Sequence, residues 1–148
     1  FDSDVILEYL DTLHENSPLI PELNKFECKT AIHLANGVIE STLLRTMELR
    51  RPECRQSKTF VNHLEARVMR GIETMEKKRE TTIGDWLNGE EITTAVALSY
   101  VDFRFSTEWR KTAPTLETWF ERVSCRKSME LTAPTRERPI TMIDKIQG

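Results

Sequence analysis

Apolar side chains recur at intervals of three and four along nearly all of this 148-residue chain, and the two-residue alternation of half-buried strands is scarce. An amphipathic helix is stable only when its apolar stripe is buried against a neighbour. The chain is therefore expected to be all-α. The first ten residues, FDSDVILEYL, already read as a helix, with Val5, Ile6, Tyr9, Leu10 and Leu13 on one broad side. Asp2 or Ser3 suits its cap. No Met precedes it, and the expectation is an element that starts upstream. The helix ends in a stretch holding Asn16, Ser17, Pro18 and Pro21, where PLIPE reads as a linker.

Two long helices follow. One runs from near Lys25 to near Arg51, with Ile32, Ala35, Ile39, Leu43 and Met47 as its stripe and Pro52 as its stop. Gly37 inside it costs about 1 kcal/mol of helix propensity. It reads as a point of close helix approach. The other runs from about Gln56 to Glu80, with Phe60, Leu64, Val68, Ile72 and Met75 recurring. Their short joint predicts an antiparallel pair.

A loop at Gly84–Gly89 leads to Asn88 and, three residues on, Glu91. That spacing is a capping box, in which each side chain accepts from a backbone N–H of the other's residue. The helix it opens, EEITTAVALSYVDFRF, is the most apolar segment. Ile92, Ala95, Val96, Ser99, Tyr100 and Phe103 point to a central, crowded position for it. Thr112 is the expected cap of the next helix, with Pro114 in its first turn and Leu116, Trp119, Phe120 and Val123 as its stripe. A short helix is expected over Lys127–Leu131. Residues 135–148 read as a tail lying against the bundle through Ile140, Met142 and Ile143.

Composition narrows the function. Hydrophobic residues are 39% of the chain, enough for a core without disulfides or metals at this length. The net charge of -3 argues against a nucleic-acid footprint. No apolar run approaches a membrane span. Cys28, Cys54 and Cys125 are odd in number, widely spaced and without a CxxC, which argues against a disulfide framework or zinc site and for a reduced setting. His14, His33 and His63 lie far apart, no HExxH is present, and no metal site is expected. Arg45, Arg50, Arg51 and Arg55 cluster at a helix end, where basic residues suit the dipole, and Glu40, Glu48 and Glu53 dilute their field.

Several segments, in order, resemble the cytosolic glutathione transferases of bacterial type. DSDVILEYLD is similar to the family's acid/Gln-Ser segment and the helix after it, and HENSPLIP to the interdomain linker. LANGVIESTLLRTMELRRPE resembles the long first helix of the second domain, with its Asn/Asp-Gly step. NGEEITTAVALSYVDFRF resembles the central capped helix, and TEWRKTAPTLETWFERVSCRKSMELTAP the closing stretch. The family box usually begins with Ser or Thr and ends with Asp. Asn88 and Glu91 depart from that with the same hydrogen bonding.

The resemblance implies a glutathione-transferase C-terminal-like helical bundle with one remnant helix of a thioredoxin-like domain. Residues 1–13 would be that helix, 14–24 the linker, 25–134 the helical domain and 135–148 the tail. It implies glutathione as co-substrate, held at its gamma-glutamyl carboxylate by Ser3 and the helix start, with Asp2 facing the ammonium. A helix N-terminus suits such an anion. The resemblance further implies an electrophile cleft walled by Ile39, Leu43, Met47 and Arg45, with Glu40 and Arg45 in reach of glutathione or a partner subunit. A homodimer and a cytoplasmic location complete it. No catalytic residue is assignable on this chain, since the family's catalytic Tyr, Ser or Cys belongs to the thioredoxin-like half. The alternative is a non-catalytic helical module that binds a protein partner or a ligand.

Overall fold

The computed structural model describes residues 2–134 except 14, 16, 80–83 and 85. The expected tail contacts of Ile140, Met142 and Ile143 lie outside the described residues. Six α-helices are found among the described residues, and no strand. They are α1 (Ser3–Asp11), α2 (Lys25–Leu49), α3 (Lys58–Lys78), α4 (Gly89–Arg104), α5 (Pro114–Ser124) and α6 (Lys127–Thr132).

Helix α2 is the spine. It lies along α3 on one side and α4 on another, and α5 closes the group against α3 and α4. The shared core is built from Val68 and Ile72 of α3, Leu98 and Val101 of α4, and Leu116, Trp119 and Val123 of α5, with Trp109 from the turn before α5. The α2–α3 joint closes on Glu48, a nearly buried carboxylate. It accepts from the Ser57 backbone N–H at 2.7 Å and from Arg51 at 3.0 Å. Gln56 donates to the carbonyls of Leu49 and Arg51, which α2 leaves without helical partners.

The buried faces differ from the expected ones in α2 and α4. On α2 the burial passes through Val38, Ser41, Thr42 and Glu48, while Leu43 and Met47 stay exposed. The hydroxyls make this possible: Ser41 donates to the Gly37 carbonyl at 2.6 Å and Thr42 to that of Val38 at 2.9 Å. A hydroxyl satisfied by its own helix is inexpensive to bury. On α4 the deeply buried residues are Thr94, Ala95, Ala97, Leu98 and Val101, and Val96 is exposed. Phe60, expected in the α3 stripe, is also exposed.

Glycine placement is corrected too. A Cβ added at Gly37 would meet nothing within 4 Å, so Gly37 is not the close approach. That role belongs to Gly71 of α3, where a Cβ would stand 2.5 Å from Val38 Cγ2.

Two helix starts show how caps are supplied. At α4, Asn88 Oδ1 accepts from the Glu91 N–H and Glu91 Oε2 from the Asn88 N–H, both at 3.0 Å. Asn88→Ala is expected to cost about 1 kcal/mol, read as a lower urea midpoint with unchanged slope. At α5, Thr112 does not cap. Its hydroxyl donates to the Trp109 carbonyl, and the N-cap position is Ala113. The acceptor comes from α3, where Glu76 takes the backbone N–H groups of Thr115 at 3.0 Å and Leu116 at 2.7 Å.

Candidate functional site

The first turn of α1 is formed by Asp2, whose Oδ1 accepts from the Asp4 N–H at 3.0 Å. Asp2 has φ 82°, and it alone of the described non-glycine residues has positive φ. Such a conformation costs on the order of 1 kcal/mol and persists where surroundings impose it, often at ligand sites. Ser3 is the first helical residue and is exposed.

Helix α1 runs antiparallel to the first half of α2. Near its C-terminal end Asp11 accepts from the backbone N–H groups of Leu19 at 2.7 Å and Ile20 at 3.3 Å. Those two linker residues are buried, and the Leu19 carbonyl accepts from Gly89 at the start of α4. Midway, Lys29 pairs with Glu8. At the N-terminal end Asn36 Nδ2 donates to Asp4 Oδ1 at 3.2 Å, and His33 Nε2 lies 3.5 Å from Asp4 Oδ2. A cavity of about 200 Å³ remains between the two helices, lined by Asp4, Leu7, Glu8, Ile20, Lys29 and Ile32 among others.

None of α1's own residues is buried. Val5, Ile6, Tyr9, Leu10 and Leu13, the stripe read from the sequence, are all exposed, Tyr9 by 62%. The helix thus meets α2 through Asp4, Leu7 and Glu8 and turns its broad apolar side outward.

Beyond the N-terminus of α1 the surface of α2 continues. Asn36, Glu40, Leu43 and Met47 are spaced by four, three and four residues, which places them on one side of the helix. Leu43 and Met47 are 43% and 54% exposed, and Ile39 is half-buried at the edge of the core. Arg45 lies elsewhere. Two residues are about 200° of helical turn, and Arg45 faces α3 and the end of α4. Its Nε donates to Glu65 at 2.6 Å and its guanidinium lies 4.3 Å from the Phe105 ring centroid. Leu43 and Met47 therefore lie on the side of α2 whose Asn36 meets Asp4, and Arg45 lies on another.

Asn36 and Asp4 were not singled out by the sequence as a pair. The available signal was the Asn-Gly step at 36–37. Its local reading concerned the glycine, whereas the asparagine makes the contact.

The remaining candidates take structural places. Asn88 and Glu91 form the α4 cap. Arg51 pairs with Glu48, while Arg50 and Arg55 are exposed. Trp119 and Phe120 are core. Tyr100 is half-buried beside a cavity of about 210 Å³ lined also by Val96, Ser99 and Met129. Cys28 is buried and Cys54 and Cys125 exposed. Burial pushes the Cys28 thiol up, so it is not a ready thiolate. Among the described residues no three His, Cys, Asp or Glu side chains gather as a metal site, and no helix is long and apolar enough to cross a membrane.

No protein-family model matches the chain. It is 31% identical to a glutathione transferase family member from Pseudomonas fluorescens Pf-5 solved with bound S-(propanoic acid)-glutathione, with a TM-score of 0.85 over 91% of this chain and 71% of that one. The same family member has been solved with bound glutathione. A glutathione S-transferase from Methylobacillus flagellatus KT with glutathione bound is 29% identical, with a TM-score of 0.82 over 91% of this chain and 70% of that one. Among curated sequences, the uncharacterized GST-like protein YibF of Escherichia coli strain K12 is 26% identical over 92% of this chain and 70% of its own length.

Proposed function

Because the chain belongs to the glutathione transferase family, we propose that the start of α1 holds the gamma-glutamyl end of glutathione and that the intact protein joins the glutathione thiol to small electrophiles. The observation that carries this reading is the α1 start itself. A strained Asp2 and an exposed Ser3 hydroxyl stand at a helix N-terminus that meets α2 at Asn36, on the same side of α2 as the exposed Leu43 and Met47.

The chemistry suits the geometry. First-turn N–H groups without helical acceptors attract an anion, and the Ser3 hydroxyl adds a donor. The Asp2 carboxylate commits Oδ1 to Asp4 and keeps Oδ2 for the glutamyl ammonium. The sulfur end of the tripeptide then extends toward α2, where an apolar electrophile would rest on Ile39, Leu43 and Met47. In the reaction the thiolate forms a C–S bond and the electrophile loses a leaving group or accepts a proton. A thiol pKa near 8.5 must be lowered by a nearby donor. In this reading that donor belongs to a thioredoxin-like domain of which residues 1–13 are the last helix, followed by the linker 14–24, the helical domain 25–134 and the tail 135–148. The outward apolar face of α1 supports this, because four exposed apolar side chains on one short helix, with Leu13 just beyond it, call for a cover.

A homodimer and a cytoplasmic setting belong to the same reading. The groove between α2 and α3, where Arg67 and Arg70 flank Gly37 and Gly71, offers a surface for a subunit contact. Light scattering on the complete gene product tests it.

Glutathione binding to that gene product, followed by titration calorimetry, tests the site. Ser3→Ala removes a hydrogen bond to a charged group, worth about 1.5–3 kcal/mol. It is expected to weaken binding roughly 10-fold or more. Unchanged affinity would remove Ser3 from the site. Conjugation is checked separately with an activated aryl halide, whose halide is released as the C–S bond forms.

A further inference from the structure

We propose that Asn36 is a positioning residue for the glutathione anchor, acting through Asp4 to fix the first turn of α1 beside the α2 wall. The inference rests on the reading above, and it concerns a contact 32 residues apart in sequence.

Helix α1 meets the bundle through few contacts. None of its residues is buried, and Leu7, at the cavity it shares with Ile20 and Ile32, is half-buried. Among the described residues its hydrogen bonds and ion pairs to the rest of the chain come from Asp4, Glu8 and Asp11. Asp11 ties one end to the linker, and the Glu8–Lys29 pair in the middle is solvent-exposed, where water screens it. Asp11 fixes one end of α1 against the linker, and the angle at which the other end meets α2 depends on a second contact. Asp4 stands seven residues from Asp11, about 10 Å along the helix, and immediately follows Ser3. Its carboxylate is only 26% exposed and receives the Asn36 amide on one oxygen, with His33 3.5 Å from the other.

The choice of donor has consequences. An amide orients the Asp4 carboxylate toward α2 without adding a charge. The negative group is thereby drawn away from the side on which Ser3 would meet a carboxylate. A pivot of α1 would shift Ser3 and its N–H groups relative to Leu43 and Met47. Glutathione would then bind less well, while the electrophile wall itself stays in place.

The experiment uses the complete gene product and a swap of the two groups. Asn36→Asp puts two carboxylates where the hydrogen bond was. It is expected to raise the glutathione KM roughly 10-fold, as loss of a charge-assisted contact would. The KM for the electrophile should be unchanged, and kcat at saturating glutathione should fall by less than about 2-fold. Adding Asp4→Asn to Asn36→Asp rebuilds the amide–carboxylate pair in reverse and is expected to bring the glutathione KM back within about 3-fold of the starting value, as coupled neighbours do. Amide hydrogen exchange supplies a readout independent of ligand. Residues 4–10 should exchange faster in Asn36→Asp and recover in the double variant. A double variant as poor as the single one, or a single variant with unaltered glutathione KM, overturns the inference while leaving the glutathione site standing. Failure of the unaltered protein to bind glutathione overturns both.

Discussion

Gly71→Leu is expected to destabilise the helical domain by about 3 kcal/mol, near the top of the usual range for overpacking. The α2–α3 contact leaves no room at this point. Even one carbon would sit 2.5 Å from Val38 Cγ2, and both residues are buried. Leucine improves intrinsic helix propensity over glycine by somewhat under 1 kcal/mol, so any net loss measures the steric term. Gly71→Ala gives the milder version. Pairing it with Val38→Ala removes the clashing methyls, and the double variant should then lose less than its two single changes added together. The control is Gly37→Ala. Its Cβ would meet nothing, so propensity alone acts and the domain should gain up to about 1 kcal/mol. Urea unfolding of these five variants and the parent measures the differences. Equal effects at 37 and 71 would contradict the packing described.

Glu76→Ala should cost about 2 kcal/mol, because two backbone N–H groups at the start of α5 lose a charged acceptor. Glu76→Gln keeps an acceptor but not the charge and should cost less. The effect carries a pH signature. Burial pushes the Glu76 carboxyl up, but the Leu116 and Thr115 donors outweigh it and leave it below the ordinary value of 4.5. The unfolded chain therefore binds this proton more readily than the folded one. Its contribution is complete above about pH 4.5 and fades as the pH falls through the lower folded-state value. Stabilities of the parent and Glu76→Gln should thus differ near neutrality and converge in acid. A gap independent of pH would show that the charge of Glu76 does not act as an α5 cap.

What a short stretch of chain determines was legible in the sequence, and what distant residues determine was not. The helices were legible because a 3.6-residue period over 16 to 25 residues is a strong signal, and the α4 cap because Asn88 and Glu91 solve it within three residues. The α1 stripe was legible as a stripe. The buried side of α4 was not, because apolar residues surround that helix and give the pattern no clear direction. The side chosen by the fold includes Thr93 and Thr94, with the Thr93 hydroxyl satisfied on the Gly89 carbonyl at 2.7 Å. Ser41 and Thr42 mislead in the same way on α2. Asp4 with Asn36, and Glu76 with Thr115 and Leu116, join residues 32 to 40 positions apart. Nothing in a local window marks such pairs. Arg45 fell beside Leu43 in the sequence, and only the turn of the helix parts them.

A crystal structure of the complete gene product soaked with glutathione tests the central claim most directly. The account predicts the gamma-glutamyl carboxylate about 3 Å from Ser3 Oγ and the first-turn N–H groups of α1, with Val5, Ile6, Tyr9 and Leu10 covered by protein and the sulfur directed toward Leu43 and Met47. Glutathione bound away from Ser3, or an α1 whose apolar side still faces water, would contradict it.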